Sequence, residues 1–283
     1  RLEAIRTDPA AVSGTPTGFS AVDNVIVGMG KGDLILIGAR PGMGKTTFAM
    51  NIATNVAIRQ KKTVCVFSLE MSAEQLASRM LSSEAGVDSY ALRSGKISEQ
   101  DWQKIAYATS KLYECDILID PSSAITVTGM KAKLRRVKNL GLVVVDYLQL
   151  MQSDRRSDSR VLEVGDISRG LKLLAKDLGV PCICCAQLSR GPESRTDKRP
   201  MLSDLRDSGA IEQDADIVMF LYRNEYYANA PEGKDAVGGV DSAGTSQAEC
   251  LVAKNRHGST ANVKLGFDGR YSRFTSIEER EEP

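Results

Sequence analysis

Short apolar runs alternate with amphipathic segments along most of the chain. Residues 34–39, 63–69, 142–146, 181–187 and 216–222 are rich in apolar side chains. Such runs are typical of strands that are buried on both faces of a parallel sheet. Strands that alternate with helices predict an α/β fold with helices on both faces of the sheet and a ligand crevice at the carboxyl ends of the strands.

Helix-start signals occupy the segments between these runs. Ser72 and Gln75 form a capping-box pattern for a helix to about Glu84, and Ser98 is expected to cap a helix that ends near Tyr113. The predicted buried face of that second helix comprises Trp102, Ile105, Ala106, Thr109 and Leu112. The other predicted elements are a short helix capped by Ser20, helices over residues 45–60, 126–139 and 161–178, and a short strand over residues 117–120.

The C-terminal part of the chain has a different pattern. Residues 228–247 are rich in Gly, Ala, Ser and Asp without periodicity, which predicts an exposed, mobile loop. Residues 248–254, 263–267 and 271–274 are predicted to be antiparallel strands that close the sheet. The Asp268-Gly269 pair favours a hairpin turn between the last two strands.

Length and hydropathy bound the broad class. The 283 residues can bury one large core, which predicts one domain over residues 14–283, and the polar start from Arg1 suggests a piece of a longer protein. The chain lacks both a signal-peptide pattern and an apolar run near the roughly 20 residues that a membrane span needs. We therefore expect a soluble, cytosolic protein with no membrane partner.

Charge and cysteine usage narrow the function further. The net charge of +1 argues against a protein that coats nucleic acid through bulk electrostatics, so a nucleic-acid surface would have to be local. The six cysteines lack C-x-x-C spacing and are expected to be small buried thiols in a reducing compartment. These cysteines are Cys65, Cys115, Cys182, Cys184, Cys185 and Cys250.

The strongest chemical motif follows the first strand directly. Residues 39–46 match the phosphate-binding pattern G-x-x-x-x-G-K-[ST], with Ala39 in place of the first glycine. Gly42 and Gly44 let backbone amides wrap phosphate oxygens, and the next helix points its positive N-terminus at them. Lys45 is predicted to hold the β- and γ-phosphates of ATP, and Thr46 a Mg²⁺ ion; the alternative is a glycine-rich loop that binds nothing. The predicted nucleotide-binding set is Arg40, Pro41, Gly42, Met43, Gly44, Lys45, Thr46 and Thr47.

Polar residues at the ends of three further strands are candidates for the rest of an ATPase site. Asp146 is predicted to hold the water shell of Mg²⁺, and Glu70 to orient and deprotonate the attacking water. Gln187 is predicted to sense the γ-phosphate and to pass that state to the loop that follows it. The alternatives are an acid that only ends a strand, a helix-entry residue and a surface amide, respectively.

Two cations stand between the first two closing strands. Lys254 and Arg256 occupy alternate strand positions and should therefore point the same way. They would serve as lysine and arginine fingers in trans if they reach the nucleotide of a neighbouring subunit, whereas in a monomer they are hairpin-tip charges. His257, the only histidine, is expected to be an exposed turn residue.

Taken together, these motifs resemble the C-terminal motor domain of the DnaB family of bacterial replicative helicases. The resemblance covers about residues 14–277, and phage and plasmid helicases share it. It rests on the loop at 39–46, Ser-Leu-Glu-Met at 68–71, Asp-Tyr-Leu-Gln-Leu-Met at 146–151, Gln-Leu-Ser-Arg at 187–190, the run 203–216 and Lys-Asn-Arg-His-Gly at 254–258.

The resemblance implies a RecA-like P-loop NTPase that forms a hexameric ring around single-stranded DNA and moves 5′ to 3′ at the replication fork. It implies that Glu70 is the catalytic base, Asp146 the magnesium-associated acid, and Lys254 and Arg256 the cations that act in trans. DNA-backbone contacts are implied for Arg206, Asp207 and Gly209, and channel-facing positions for residues 154–160 and 190–199.

By the same resemblance, residues 1–13 are expected to be the remnant of a linker helix, and the N-terminal domain that supports the ring and receives primase is absent. Primase and a helicase loader are expected partners of the full-length protein. Two other hypotheses keep the fold: a filament, strand-exchange or clock-type ATPase, and a nucleotide-binding module without turnover. The run 203–216 with the Lys254/Arg256 pair favours the helicase over the first, and the set of Glu70, Asp146 and Gln187 disfavours the second.

Overall fold

The apolar runs form one central sheet in the computed structural model, which describes residues 14–154, 159–205, 209–228 and 245–277. Within these residues the strands are β1 (Leu34–Ala39), β2 (Thr63–Ser68), β3 (Ile117–Asp120), β4 (Leu140–Asp146), β5 (Cys182–Gln187), β6 (Ile217–Tyr222), β7 (Ser246–Asn255), β8 (Ala261–Asp268) and β9 (Arg273–Ser276). Their order across the sheet is β3-β2-β4-β5-β1-β6-β7-β8-β9. Strands β1 to β6 run parallel and β7 to β9 antiparallel, which confirms the predicted sheet and its closing strands.

Helices connect the parallel strands in the predicted order. In the described part of the chain they are α1 (Ser20–Ile26), α2 (Lys45–Gln60), α3 (Ala73–Ala85), α4 (Ser89–Ser94), α5 (Glu99–Tyr113), α6 (Val127–Leu134), α7 (Arg160–Leu178), α8 (Gly209–Asp214) and α9 (Asn224–Ala228). The short helices α4, α8 and α9 were not predicted. None of these helices is long and apolar enough to cross a bilayer.

Strand β1 lies between two hydrophobic cores, one on each face of the sheet. Ile35 and Ile37 pack in the core that includes Phe48 of α2, whereas Leu34 and Leu36 pack in the core on the opposite face. All four β1 side chains are fully buried. Because successive strand residues point to opposite faces, two-sided burial requires the unbroken apolar run seen in the sequence.

The predicted buried face of α5 is only partly confirmed, at Ile105. Ile105 and Ala108 are its buried residues, whereas Trp102 is 53% exposed and Thr109 lies in solvent. Trp102, Ala106 and Thr109, which were predicted to be buried, are exposed, and Ala108 is buried in their place. Packing against the rest of the fold decides which face is buried.

Helix α6 is shorter than predicted, since it ends at Leu134 and not near Asn139. The carbonyl of Lys138 accepts a hydrogen bond from Thr63 Oγ1 at 2.9 Å, and the carbonyl of Asn139 accepts one from the Thr63 amide at 3.0 Å. These contacts with the start of β2 hold the chain out of the helix just before β4 begins. A partner that is remote in sequence therefore overrides the local helical pattern.

Three smaller expectations concern the cap of α1, the loop at 228–247 and the linker remnant at 1–13. Ser20 is the first residue of α1 and not its cap, because the N-cap position is Phe19, which has no side-chain hydrogen bond. The predicted loop at 228–247 and the predicted linker remnant at 1–13 lie largely or wholly outside the described residues.

Candidate active site

The loop between β1 and α2 has the backbone that phosphate binding requires. Gly42 and Gly44 adopt φ values of +79° and +94°, a region that favours glycine, and Gly44 is the N-cap of α2. The first amides of a helix have no partner within the helix, so those of α2 are free to face an anion. Lys45 is the first residue of α2 and Thr46 the second.

Asp146 brings the end of β4 against the start of α2. Its Oδ2 accepts a hydrogen bond from Thr46 Oγ1 at 2.6 Å, and its Oδ1 lies 3.5 Å from Lys45 Nζ. Asp146 is 2% exposed, and Oδ1 has no hydrogen-bond partner among the described residues. A buried carboxylate oxygen beside a threonine hydroxyl is a donor set that suits a hard cation such as Mg²⁺. The two predicted metal residues are thus adjacent, and their chemistry fits the ion.

Glu70 lies in the turn between β2 and α3, at the same sheet edge as Asp146. The amide of Leu69 donates to the carbonyl of Asp146 at 2.7 Å, which fixes the end of β2 beside the end of β4. The turn is closed by Ser68 Oγ, which donates to the carbonyl of Met71 at 2.7 Å. Glu70 itself is exposed to solvent at this edge. The local structure therefore leaves its carboxylate accessible to a water molecule.

Arg79 is a cation of this site that the sequence analysis missed. It lies on α3, is partly buried, and interacts electrostatically with Asp146 and Glu70. Burial lowers the pKa of the Arg79 guanidinium, and the two carboxylates act in the opposite direction. A charged residue three positions after the buried Leu76, on the inward face of an amphipathic helix, was the signal that could have identified it.

Gln187 ends β5, and Arg40 follows the neighbouring strand β1. Gln187 pairs in register with Ala39, and the side chain of Gln149 bonds both its amide and its carbonyl, at 3.2 and 3.1 Å. Arg40, one of the residues predicted to contact the nucleotide, donates to the carbonyl of Leu188 at 3.0 Å and pairs with Glu193 at 2.6 Å. Arg40 therefore ties the phosphate loop to the segment that follows Gln187.

Aromatic residues of the closing strands and an arginine that follows β6 border the same loop. The guanidinium of Arg223 lies 4.1 Å from the ring centre of Phe267, and its Nη1 is 3.5 Å from the carbonyl of Gly42. A side chain at Gly44 would meet the ring of Phe274 at 2.9 Å. The sequence analysis missed these neighbours because they are far from the loop in the chain.

Lys254 and Arg256 lie at the opposite edge of the sheet. Strand β7 runs antiparallel to β6 and places Asn255 opposite Ile217, the first residue of β6. The phosphate loop leaves β1 at its carboxyl end, and β1 and β6 are parallel neighbours. A six-residue strand spans roughly 17–20 Å, so the two cations are separated from their own phosphate loop by about that length.

His257 is less free than expected. Its Nε2 lies 2.9 and 3.0 Å from the two carboxylate oxygens of Asp33, and its side chain is 47% exposed. Asp33 directly precedes β1. The turn after β7 is thereby attached to the foot of the strand that carries the phosphate loop.

The predicted DNA contacts are only partly within the described structure. Gly209 is the exposed first residue of α8, whereas Arg206 and Asp207 lie outside the described residues, as do residues 155–158 of the predicted channel segment 154–160. In the other segment, 190–199, Arg195 pairs with Asp204 at 2.6 Å. The described residues hold no cluster of potential metal ligands built from His, Cys, Asp and Glu, and apart from the partly buried Cys115 the cysteines are buried free thiols, as predicted.

Comparison with known proteins gives a consistent result. The profile of the family described as DnaB-like helicase C terminal domain matches residues 14–276. The replicative DNA helicase DnaC of Bacillus subtilis is 45% identical over 283 residues, which cover 99% of this chain and 60% of that protein. The replicative DNA helicase DnaB of Geobacillus stearothermophilus has the same identity and the same coverage. The chain thus spans about 60% of the length of these curated relatives.

Solved structures agree with this match. A structure described as a DnaB-like replicative helicase and its interactions with primase is 34% identical, with a TM-score of 0.87 over 98% of this chain and 65% of that one. A second structure, described as an ATPase domain, is also 34% identical, with a TM-score of 0.88 over 98% of this chain and 96% of that one.

Proposed function

The chain belongs to the family of DnaB-like helicase C-terminal domains, and on that premise we propose that it is the ATP-hydrolysing motor of a replicative DNA helicase. The observation that carries the proposal is the junction of Lys45, Thr46 and Asp146 next to the exposed Glu70. One loop, one helix start and two strand ends supply every group that phosphoryl transfer to water requires within a subunit.

The residues act on ATP in distinct ways. The amides at Gly42 to Thr46 bind the phosphates, and Lys45 contacts the β- and γ-phosphates. Thr46 and Asp146 would hold Mg²⁺, and the ion would supply positive charge against the phosphates. Glu70 orients the attacking water and accepts its proton, and Arg79 adds positive charge beside the reacting groups.

Two other groups of residues contact the adenine base and the γ-phosphate. The stacked pair of Arg223 and Phe267 beside Gly42 offers a flat apolar and cationic surface for the adenine ring. Gln187 contacts the γ-phosphate, and its backbone position is fixed by Gln149. Because Arg40 connects the phosphate loop to the carbonyl of Leu188, a change at Gln187 reaches the segment that faces DNA.

The position of Lys254 and Arg256 supports a site that is shared between subunits. In each subunit, these two cations lie about the length of one strand from that subunit's own phosphate loop. They must therefore contact the nucleotide of a neighbouring subunit. A repeated head-to-tail contact gives a ring when its rotation closes, and we infer such a ring, a homo-hexamer around single-stranded DNA that moves 5′ to 3′. Arg206, Asp207 and Gly209 then contact the DNA backbone. Primase and a loader are proposed partners of the longer protein.

The proposal is tested by ATPase activity as a function of protein concentration, with and without single-stranded DNA. Activity per subunit should rise steeply with concentration and should be stimulated by DNA, since active sites form only between subunits. Concentration-independent turnover would contradict the shared site, and turnover that ignores DNA would contradict the motor role and favour an assembly ATPase of the same fold.

A further inference from the structure

The two cations assigned to the neighbour's nucleotide are held within their own subunit by one small cradle. Lys254 Nζ donates to the carbonyl of Glu212 and lies 3.4 Å from that of Gln213. Arg256 Nη2 also donates to the carbonyl of Gln213. Both cations thus cap the last carbonyls of α8, where the helix leaves acceptors without partners and where positive charge is favoured.

Asp216 forms the other wall of this cradle. Its Oδ1 lies 3.4 Å from Arg256 Nη1, and its carbonyl accepts from the Arg256 amide at 2.9 Å. Its Oδ2 accepts from the Leu34 amide at 2.8 Å and from Lys172 Nζ. Asp216 is buried, whereas the Arg256 side chain is 48% exposed. The buried carboxylate of Asp216 therefore contacts the inner side of the guanidinium, and the outer side of the guanidinium remains accessible.

We propose that this cradle, formed by Asp216 and the carbonyls of Glu212 and Gln213, positions Lys254 and Arg256 for the active site of the neighbouring subunit, with Asp216 as the positioning residue for Arg256. Asp216 does not touch the nucleotide of either subunit. The inference rests on the proposed role of Arg256 in trans, and it adds a residue that acts on catalysis only through that arginine.

The cradle also connects two predicted activities. Helix α8 begins at Gly209, a predicted DNA contact, and ends at the carbonyls that hold the cations. Its six residues span only about 9 Å, and Asp214 anchors the helix to α7 by accepting from Ser168 Oγ at 2.8 Å. A displacement of α8 by DNA would therefore change where the cations stand.

The test is cross-complementation between two weakly active proteins. Asp216→Asn keeps the size of the side chain and an acceptor for the Leu34 amide, but removes the charge that holds Arg256. We expect kcat to fall roughly 10- to 100-fold, because a misplaced group of this kind costs about that much. The KM for ATP should change less than about twofold, since the subunit's own nucleotide-binding residues are intact.

Asp216→Asn subunits keep Glu70, and Glu70→Gln subunits keep a correctly held Arg256. When dissociated subunits of the two variants are mixed equally and reassembled, about a quarter of the interfaces combine Glu70 from an Asp216→Asn subunit with Arg256 from a Glu70→Gln subunit. ATPase activity should then rise roughly fivefold or more above the mean of the two separate proteins. Arg256→Ala mixed with Glu70→Gln is the reference for the shared site itself.

The outcomes separate the two ideas. If Arg256→Ala complements Glu70→Gln but Asp216→Asn does not, the positioning role is wrong and the shared site stands. If neither complements, both are wrong. Asp268→Asn is the matched control, because it removes a carboxylate that holds Arg270 on the closing strands and should leave ATPase activity unchanged. If Asp216→Asn unfolds because Lys172 loses its partner, the double variant Asp216→Asn, Lys172→Met removes both buried charges and is subject to the same test.

Discussion

Thr46 and Asp146 are 100 positions apart in the chain, yet their side chains are in hydrogen-bond contact. A buried carboxylate is costly unless cations or donors compensate it; Thr46 Oγ1 donates a hydrogen bond to Oδ2, and Lys45 Nζ lies 3.5 Å from Oδ1 as an ion pair without a hydrogen bond. The remaining oxygen, Oδ1, is without a hydrogen-bond donor among the described residues. At the scale of single residues, the site is thus prepared for a ligand that brings positive charge.

Glu70→Gln should abolish ATP hydrolysis and leave ATP binding intact. The amide keeps the shape of the side chain but cannot accept the proton of the attacking water. We expect kcat to fall by roughly 10²- to 10⁴-fold, measured beside a nucleotide-binding titration. Glu74→Gln, an exposed acid in the first turn of α3, is the control and should leave turnover unchanged. Normal turnover in Glu70→Gln would remove Glu70 from the catalytic role.

The buried cysteines should resist alkylation in the native protein. Burial raises the pKa of Cys182 and of Cys250 to about 12, so at pH 8 only about one molecule in ten thousand carries the reactive thiolate at either position. Because the shift is upward, raising the pH from 7 to 9 leaves both thiols protonated. Mass spectrometry after iodoacetamide treatment should find label at the partly buried Cys115 first, and at the other two only after unfolding. Rapid native labelling of Cys182 would contradict its burial.

At the scale of elements, local sequence signals predicted where the helices begin better than which of their faces is buried. The capping box of Ser72 and Gln75 is present as predicted, and the Ser98 side chain caps α5 by accepting from the Asp101 amide. A cap satisfies amides within a few residues, so its signal is contained in the local sequence. The buried face of α5 depends instead on what packs against it.

The observed face of α5 gives a stability prediction. Ile105→Ala should lower the free energy of unfolding by about 2–5 kcal/mol, because the side chain is buried and its removal leaves a cavity. Thr109→Ala, one turn further on and exposed, should change it by about 0.5 kcal/mol or less. Urea unfolding of both variants measures the difference. An equal loss in the free energy of unfolding for the two variants would support the buried face that the sequence analysis predicted.

At the scale of the whole molecule, the sheet separates two functional edges. The carboxyl ends of the parallel strands hold the phosphate loop, Glu70 and Asp146, and the opposite edge holds Lys254 and Arg256. The contact of His257 with Asp33 and that of Arg256 with Asp216 attach the second edge to the feet of β1 and β6. Each subunit would thus act on its neighbour's nucleotide through a rigid body.

A ring that uses its sites in turn should be sensitive to a single defective interface. When wild type is mixed with Arg256→Ala, ATPase activity should fall in proportion to the variant fraction, whereas unwinding of a forked duplex should fall more steeply. The reason is that translocation needs every interface and hydrolysis needs only one. Arg270→Ala removes a partly exposed arginine that pairs with Asp268; it is the control and should lower neither activity. Strictly proportional loss of unwinding would argue against sequential use of the sites.

The sequence by itself determined most of the elements and identified most of the candidate site residues. Two-sided burial makes the parallel strands continuous apolar runs, and the phosphate loop, its lysine and its threonine are consecutive residues whose geometry is local. Helix α2 was predicted with the observed bounds of Lys45–Gln60, because its signals are also contained in the local sequence. Glu70, Asp146 and Gln187 could be named because strand ends in a parallel sheet meet at one edge.

Tertiary structure alone decided the contacts between distant segments. The contacts that depend on partners far along the chain are those that set the end of α6, the buried face of α5, the electrostatic interaction of Arg79 with Glu70 and Asp146, and the stack of Arg223 on Phe267. The cradle around Arg256 likewise joins α8, β6 and β7. Hydropathy and spacing report how each segment meets solvent, whereas these contacts depend on which segments the sheet order places side by side.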